Sequence, residues 1–395
     1  MGSNNKKSLN FDDTKVAFRN KTNTELNAAY LLFKIISSNF LTKVGPPITN
    51  FFLTIGLPIK GIIKATIFKH FCGGETIAEC EHTIEQLSSG KVGTILDYSV
   101  EGEDEELVFD FTCEEIIRTI ERGAGDDRIP ITVFKITGIG RFGLLEKMDT
   151  RQKLTETEEA EFEKVSQRCQ RICKMAFDKK VPVMIDAEES WIQDTIDRLA
   201  LNMMERFNKE SIIVYNTYQM YRHDKLNSMK ANHLIAMAEG FILGVKMVRG
   251  AYMEKERKRA AEMNYTSPIQ PTKDATDKDY DESLVYAIEH IETIAIVCGT
   301  HNEESSKLLA QLLDDHGIKH DHPHVYFAQL LGMSDNLSFN LSDAGYNVAK
   351  YVPYGPVKAV MPYLFRRAQE NTSIAGQTSR ELSLIIREKK RRSIS

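Results

Sequence analysis

Short apolar runs alternate with longer amphipathic stretches from about residue 90 onward, a pattern that indicates strands separated by helices. Helical periodicity is clear at 158–177 and 303–317. Alternating strands and helices favour βαβ units, and eight such units over about 280 residues favour an α/β fold of the (βα)8 TIM-like barrel type over an open sheet. The predicted strands are 94–100, 131–136, 181–186, 211–216, 243–249, 293–299, 324–328 and 347–352.

The remaining segments predict three parts of the chain. Residues 1–90 are an expected N-terminal helical arm, 91–375 the barrel, and 376–395 a basic C-terminal tail. Residues 28–70 are strongly apolar but contain Pro46, Pro47 and Pro58. This stretch is interpreted either as helix packed on the barrel or as a surface that touches a membrane, and both interpretations stay open. Residues 264–282 are polar with two prolines, which predicts a long loop.

Composition narrows the class of protein. The 395 residues are 42% hydrophobic and 27% charged, with a net charge of −5, so there is no global case for nucleic-acid binding. Six cysteines in a chain of this length do not form a disulfide framework, which favours a reduced, intracellular setting. The first residues lack the apolar core of a signal peptide.

Polar side chains follow the apolar strands at the points where those strands are predicted to end. In a parallel barrel, functional residues gather at the carboxyl ends of the strands, so these positions are candidates for a site. They are Asp97, Lys135, Asp186, Gln219, Arg249, Tyr252, Thr300, His301, Asn302, Gln329 and Tyr351.

Two local motifs suggest a dinucleotide site and a metal site, and we expect neither to be one. The sequence GIGRFG follows the predicted strand 131–136, but no second strand with a terminal acid comes about 20 residues later, so a dinucleotide fingerprint fails. Lys135, just before the glycines, is the more informative residue. Histidines cluster at 316–324, but they precede a strand, on the face of a barrel that serves stability rather than catalysis. His301 instead follows a strand directly.

The segment KYVPYGPVKAVMPYLFRRAQEN (350–371) contains the strongest candidate chemistry. A strand is predicted to end at Tyr351, and a turn then leads into a helix bearing Arg366, Arg367 and Glu370. Glu370 lies three and four residues from the arginines, so it can brace both guanidinium groups. Such a pair is either a fork for a carboxylate or a solvated ion pair on a helix surface.

Seven motifs, in this order, together resemble the proline dehydrogenase family, in its monofunctional eukaryote-like branch. The motifs are FKITGIGRFG, VMIDAEES, NTYQMY, KMVRGAYMEKER, THNEES, FAQLLGM and KYVPYGP with PYLFRRAQEN. The resemblance implies a distorted barrel that holds FAD, with the last helix over the active site. It implies oxidation of L-proline to Δ1-pyrroline-5-carboxylate, the first step of proline catabolism, with hydride passing to the flavin N5 and electrons to a membrane quinone.

The resemblance also implies roles for particular residues. Lys246 stands where bifunctional relatives often have Arg and cannot form the same fork, and Arg249 receives no role. No metal is expected. Catalytic roles are implied for Lys135, Asp186, Tyr252, Tyr351 and Glu370. Substrate contacts are implied for Arg366, Arg367, Lys135, Tyr351 and Leu330. Flavin contacts are implied for Gln219, Lys246, Val248, Gly250, Thr300, His301 and Asn302.

Alternatives of other kinds stay open. A trans-4-hydroxy-L-proline dehydrogenase of the same family needs room where Tyr351 stands, which favours plain proline. A metal-dependent barrel hydrolase would use His301 or the cluster at 316–324. A catalytically silent barrel would serve membrane or partner binding through residues 28–70. Peripheral membrane contact stays one of the open interpretations, and the expected location is the cytoplasmic face of the inner membrane in a bacterium or the mitochondria in a eukaryote.

Overall fold

The structure of the protein is a computed structural model that describes residues 9–36, 60–100, 105–373 and 377–393. Eight strands form a closed barrel in chain order, and every pairing with a defined register is parallel. The predicted eight-stranded α/β barrel is therefore confirmed. The strands are β1 (Gly93–Tyr98), β2 (Ile131–Phe134), β3 (Val183–Ile185), β4 (Val214–Gln219), β5 (Leu243–Val248), β6 (Ile294–Gly299), β7 (Val325–Leu330) and β8 (Val348–Tyr354).

Helices precede the barrel, separate its strands and follow it. A π-helical turn, Lys64–Phe68, lies between the short helices Lys60–Ile63 and Lys69–Phe71, and a 3-10 turn, Ile136–Gly138, follows β2. Before β1 the α-helices are Thr14–Ala17, Asn23–Ile36, Lys60–Ile63, Lys69–Phe71 and Ile77–Ser89. Those after it are Glu106–Gly123, Phe142–Asp149, Glu156–Lys179, Ser190–Phe207, Lys225–Glu239, Met253–Met263, Lys273–Glu289, Glu303–Asp315, Asp335–Asp343, Val357–Ser373 and Gln377–Arg391.

The strands form because their residues are apolar or β-branched and are buried on both faces. Every residue of β2, β3 and β4 is buried, as expected for a parallel sheet covered by helices. Gly244 in β5 allows a close approach to β4, since a Cβ there would lie 2.2 Å from the carbonyl oxygen of Val214. The sequence therefore determines the strands and, through Gly244, the close approach of β5 to β4.

Several predicted strand boundaries were wrong by two or three residues, and those of β4 and β8 have a physical explanation. β4 begins at Val214 rather than 211, because the Asn208 side chain accepts the N–H groups of Ile213 and Val214 at 3.0 and 2.8 Å. β8 continues past Tyr351 to Tyr354, and the carbonyl of Pro353 accepts the Gly73 N–H at 2.9 Å.

The predicted loop 264–282 was wrong from residue 273 onward, where a helix runs to Glu289. Thr272 caps this helix by accepting the N–H of Ala275 at 3.1 Å, and Tyr280 anchors it in the core. The polar composition of residues 264–282 had concealed both the helix cap at Thr272 and the buried position of Tyr280.

The chain divides into two compact units. The central unit is Gly102–Ala328, and the terminal unit combines Met1–Glu101 with Gln329–Ser395. Within the terminal unit, the C-terminal helix Gln377–Arg391 buries Leu384 and Ile385 in a cluster with Leu26 and Phe33. The predicted basic tail is thus helical from 377 to 391, while the predicted three-part domain division stays a prediction.

No helix in the described ranges is long and apolar enough to cross a bilayer. Residues 37–59, the middle of the apolar stretch 28–70, lie outside the described residues. The membrane-contact interpretation of that stretch is therefore still a prediction.

Candidate active site

Two lysines share one carboxylate at the carboxyl ends of three strands in the central unit. Lys135 follows β2, Asp186 follows β3, and Lys246 lies within β5. Lys135 Nζ donates to Asp186 Oδ2 at 3.2 Å, and Lys246 Nζ donates to Asp186 Oδ1 at 2.5 Å. Three of the residues singled out in the sequence are therefore in direct contact.

The cluster joins two lysine ammonium groups to one carboxylate. Burial opposes ionisation of Asp186, but the charges of Lys246 and Lys135 outweigh it and hold the pKa of Asp186 below its usual value. All three side chains are at most 16% exposed. Largely desolvated ammonium groups of this kind suit an anionic ligand such as a carboxylate.

Glu188 is a second buried carboxyl group in this unit, and the sequence analysis missed it. Its side chain accepts the Thr137 N–H at 3.1 Å and also the Thr137 hydroxyl. Burial raises the pKa of Glu188 to about 7. Its place two residues after Asp186 in VMIDAEES was the only local signal, because residues two apart in an extended segment share a side.

The ends of β4 and β6 place further polar groups that were predicted to contact a flavin. Gln219 closes β4, and its amide donates to the Glu188 carbonyl at 2.7 Å. Thr300 follows β6, and its hydroxyl accepts the Asn302 N–H at 3.1 Å. Asn302 caps the helix Glu303–Asp315 through the N–H groups of residues 304 and 305. His301 lies between them in the same turn.

Arg249, which received no role from the sequence, links the ends of β5 and β6. Its guanidinium donates to the hydroxyls of Thr300 and Ser305 at 2.8 and 2.9 Å. It also pairs with Asp277 at 2.6 Å and stacks over the Tyr280 ring at 4.4 Å. Arg249 therefore fixes the hydroxyl of Thr300.

The backbone after β5 depends on a glycine. Val248 ends the strand, and its carbonyl accepts the Met220 N–H at 2.8 Å. Gly250 has φ +129°, and a Cβ there would meet the Tyr221 ring at 2.5 Å, so other residues are excluded. Tyr252 then stands at the N-cap of the helix Met253–Met263.

The terminal unit holds the other candidates. Tyr351 lies inside β8, is buried, and accepts the Leu331 N–H on its carbonyl at 2.9 Å. Leu330 ends β7 and packs against apolar residues of the helix Val357–Ser373. That helix also carries the two predicted arginines.

The predicted arginine fork is described only in part. Arg367 is buried, with its guanidinium 5.1 Å from the Tyr363 ring centroid, and Arg366 is half-buried. The side chain of Glu370 lies outside the described part of the chain. Bracing of both arginines by Glu370 therefore stays a prediction.

The two motifs expected to mislead have structural explanations. In GIGRFG, a Cβ at Gly140 would lie 2.5 Å from Val165, so this glycine allows close helix packing. His324 contacts the carbonyl of Ile291 at 2.8 Å, and His320 pairs with Asp314. Among the residues that the structure describes, no group of three or more His, Cys, Asp or Glu could hold a metal ion.

Comparison with known proteins identifies the family. The model of the proline dehydrogenase family matches residues 80–380, more than half of the chain. The chain belongs to the proline dehydrogenase family. The resemblance stated from the motifs is thus confirmed, and the chain is an oxidoreductase of this family.

Relatives and one crystal structure extend this result. The mitochondrial proline dehydrogenase 1 of Dictyostelium discoideum is 34% identical over 98% of this chain and 76% of its own length. CarD, a carbapenem antibiotics biosynthesis protein of Pectobacterium carotovorum subsp. carotovorum, is 34% identical over 84% of this chain and 86% of its own length. Proline utilization A from Bdellovibrio bacteriovorus, inactivated by N-propargylglycine, aligns over 94% of this chain and 39% of its own, with a TM-score of 0.73 and 18% identity. At that identity the match supports the fold alone.

Proposed function

We propose that this member of the proline dehydrogenase family oxidises L-proline to Δ1-pyrroline-5-carboxylate with FAD as its cofactor. The observation that carries the proposal is the contact of Lys135, Asp186 and Lys246 at the carboxyl ends of the barrel strands, in a chain of this family. The two lysine ammonium groups of this cluster suit the carboxylate of an amino acid.

The donor groups of the central unit fit a flavin. Gln219, Lys246 and Thr300 offer an amide, an ammonium and a hydroxyl on β4, β5 and the turn after β6. His301 and Asn302 extend the row. We propose that these groups, with the backbone at Val248 and Gly250, hold the cofactor. A bound FAD would supply a two-electron acceptor at its N5 position, which the side chains of the protein cannot provide.

The residues of the chain would bind and orient the substrate. Family membership supports Arg366 and Arg367 as partners of the proline carboxylate, together with Lys135. Tyr252, Tyr351 and Leu330 would hold the ring. Substrate must react with its nitrogen deprotonated, because an ammonium has no lone pair to assist loss of hydride from the adjacent ring carbon. Solvent can accept that proton, so we propose no single essential general base.

The electron acceptor and the location of the protein also belong to this proposal. Reoxidation would pass electrons to a membrane quinone, through peripheral contact of the protein with the bilayer. The Dictyostelium relative is named mitochondrial, which supports a mitochondrial location if this chain is eukaryotic. In a bacterium we expect the cytoplasmic face of the inner membrane. CarD shows that a relative can take part in antibiotic biosynthesis.

A turnover assay tests the substrate. Purified protein loaded with FAD should convert L-proline, with a soluble quinone as acceptor, to a product that gives the coloured adduct of a cyclic imine with o-aminobenzaldehyde. We expect trans-4-hydroxy-L-proline to be a poor substrate, because a ring hydroxyl would need room where Tyr351 is proposed to hold the ring. Faster turnover of hydroxyproline than of proline would contradict the proposal.

A further inference from the structure

The loop that follows β7 is held by four side chains from other segments of the terminal unit. This segment, Leu331–Asp335, is called the β7 loop below. It connects Leu330, the proposed ring contact, to the helix Asp335–Asp343. Its backbone takes two left-handed turns, at Gly332 with φ +77° and at Ser334 with φ +50°. A non-glycine residue with positive φ is costly unless its surroundings fix it.

Lys350 is the first of the side chains that hold this loop. It lies in β8 next to Tyr351 and is 0% exposed. Its Nζ donates to the carbonyl of Met333 at 2.6 Å and to that of Leu330 at 3.3 Å, and it pairs with Asp335 at 2.8 Å. A buried lysine is costly unless its donors are satisfied, so these bonds fix both the lysine and the loop.

Three further side chains reach the loop, two from the N-terminal part of the sequence and one from its C-terminal part. His70 donates from Nε2 to the carbonyl of Gly332 at 2.9 Å. Glu381, on the C-terminal helix Gln377–Arg391, accepts the N–H of Ser334. Lys21 completes the set by pairing with the second oxygen of Asp335 at 3.0 Å. A Cβ at Gly332 would lie 2.5 Å from the carbonyl oxygen of His70, so the backbones of the loop and of residue 70 approach each other closely.

We propose that Lys350 and Glu381 are positioning residues that hold the β7 loop and, through it, set the place of Leu330 against the substrate ring. The inference rests on the proposed function, because Leu330 and Tyr351 owe their roles to it. It gives the C-terminal helix a purpose in substrate recognition that neither family membership nor the helix's own composition states.

The C-terminal helix offers a matched control for this proposal. Glu388 is also buried, but it pairs with Arg391 and Arg392 at 2.7 and 2.6 Å and not with the β7 loop. Glu381→Ala and Glu388→Ala both remove a buried carboxylate from the same helix. Glu381→Gln keeps an oxygen that can accept the Ser334 N–H and should restore the wild-type behaviour.

The experiment measures KM and kcat for L-proline and the inhibition constant of acetate with the FAD-loaded protein. Acetate has a carboxylate but no ring, so its inhibition constant should not depend on the position of Leu330. We expect Glu381→Ala to raise the proline KM roughly tenfold, the scale of one lost charge-assisted hydrogen bond, with the acetate constant unchanged. Glu388→Ala and Glu381→Gln should stay near wild type.

A second variant keeps the test decisive if Glu381→Ala does not fold. Lys350→Met replaces the ammonium group with an apolar side chain of similar length and leaves Asp335 paired with Lys21. It should likewise raise the proline KM and leave the inhibition constant of acetate unchanged. Equal KM values for Glu381→Ala and Glu388→Ala, or equal losses for proline and acetate, would overturn the inference. A wild-type protein that fails to turn over proline would instead refute the proposed function.

Discussion

Replacing Glu188 with glutamine should stabilise the protein at pH 8 and leave its stability near pH 5 almost unchanged. The carboxyl group is buried and bonded to Thr137 through both oxygens. Glutamine can reproduce these contacts, since its oxygen can accept the Thr137 N–H and its amide can donate to the hydroxyl. At pH 5 the wild-type side chain is protonated in the folded protein, so the two side chains are nearly equivalent there.

The size of the effect follows from the raised pKa. Glu188 has a pKa of about 7 in the folded protein against an ordinary value of 4.5. A carboxyl group with a raised pKa stabilises the folded state fully below pH 4.5, and that contribution is lost as pH rises through 7. Between pH 5 and pH 8 the wild-type protein should lose roughly 2–3 kcal/mol through this group, a loss that the glutamine variant avoids.

Urea denaturation at pH 5 and pH 8 measures the difference. Trp191 is the single tryptophan of the chain and lies three residues from Glu188, so its fluorescence reports on this region. Glu158→Gln is a control at a carboxyl group whose pKa is shifted in the opposite direction, because hydrogen bonds from Lys147 and Thr155 lower the pKa of Glu158 to about 2. That variant should gain nothing at pH 8. A Glu188→Gln variant whose stability differs from wild type by the same amount at both pH values would refute the reasoning.

Three further predictions test the site and the barrel. Arg366→Met should raise the proline KM by the equivalent of about 1.5–3 kcal/mol per charged hydrogen bond lost, measured by steady-state kinetics, and an unchanged KM would exclude its carboxylate role. Asp186→Asn removes the carboxylate shared by Lys135 and Lys246, so thermal unfolding should show a loss of roughly 3–5 kcal/mol, and an unaltered Tm would contradict the described contacts. Gly244→Ala should cost about 1–3 kcal/mol in urea denaturation because its Cβ meets a strand carbonyl, and wild-type stability would disprove that clash.

Local patterns were enough to predict the barrel. Most strand residues are apolar or β-branched and nearly all are buried, and the strand order followed from the alternation with helices. The change to polar residues at Lys135 and Asp186 marks the positions just after β2 and β3, although the predicted strands ran to 136 and 186 and the observed ones end at Phe134 and Ile185. The boundary of β4 could not be read from the sequence, because the Asn208 side chain that replaces its first ladder bonds lies outside the strand pattern.

The interactions that the sequence concealed join residues far apart in the chain. Glu188 and Arg249 have partners on other strand ends or helices, and no local sequence motif indicates those contacts. The apolar run around Lys350 gave no sign that its ammonium would be buried against the β7 loop. Likewise, the basic residues near 390 masked the apolar face of the C-terminal helix, whose partners lie near residue 30.

The proposed function requires this family member to use a flavin to oxidise proline. The most direct test is the absorbance spectrum of the purified, FAD-loaded protein before and after anaerobic addition of L-proline. We expect oxidised-flavin bands near ~380 and ~450 nm that bleach on addition of proline. Bands that persist with proline but bleach with trans-4-hydroxy-L-proline, or a protein that takes up no FAD, would contradict it.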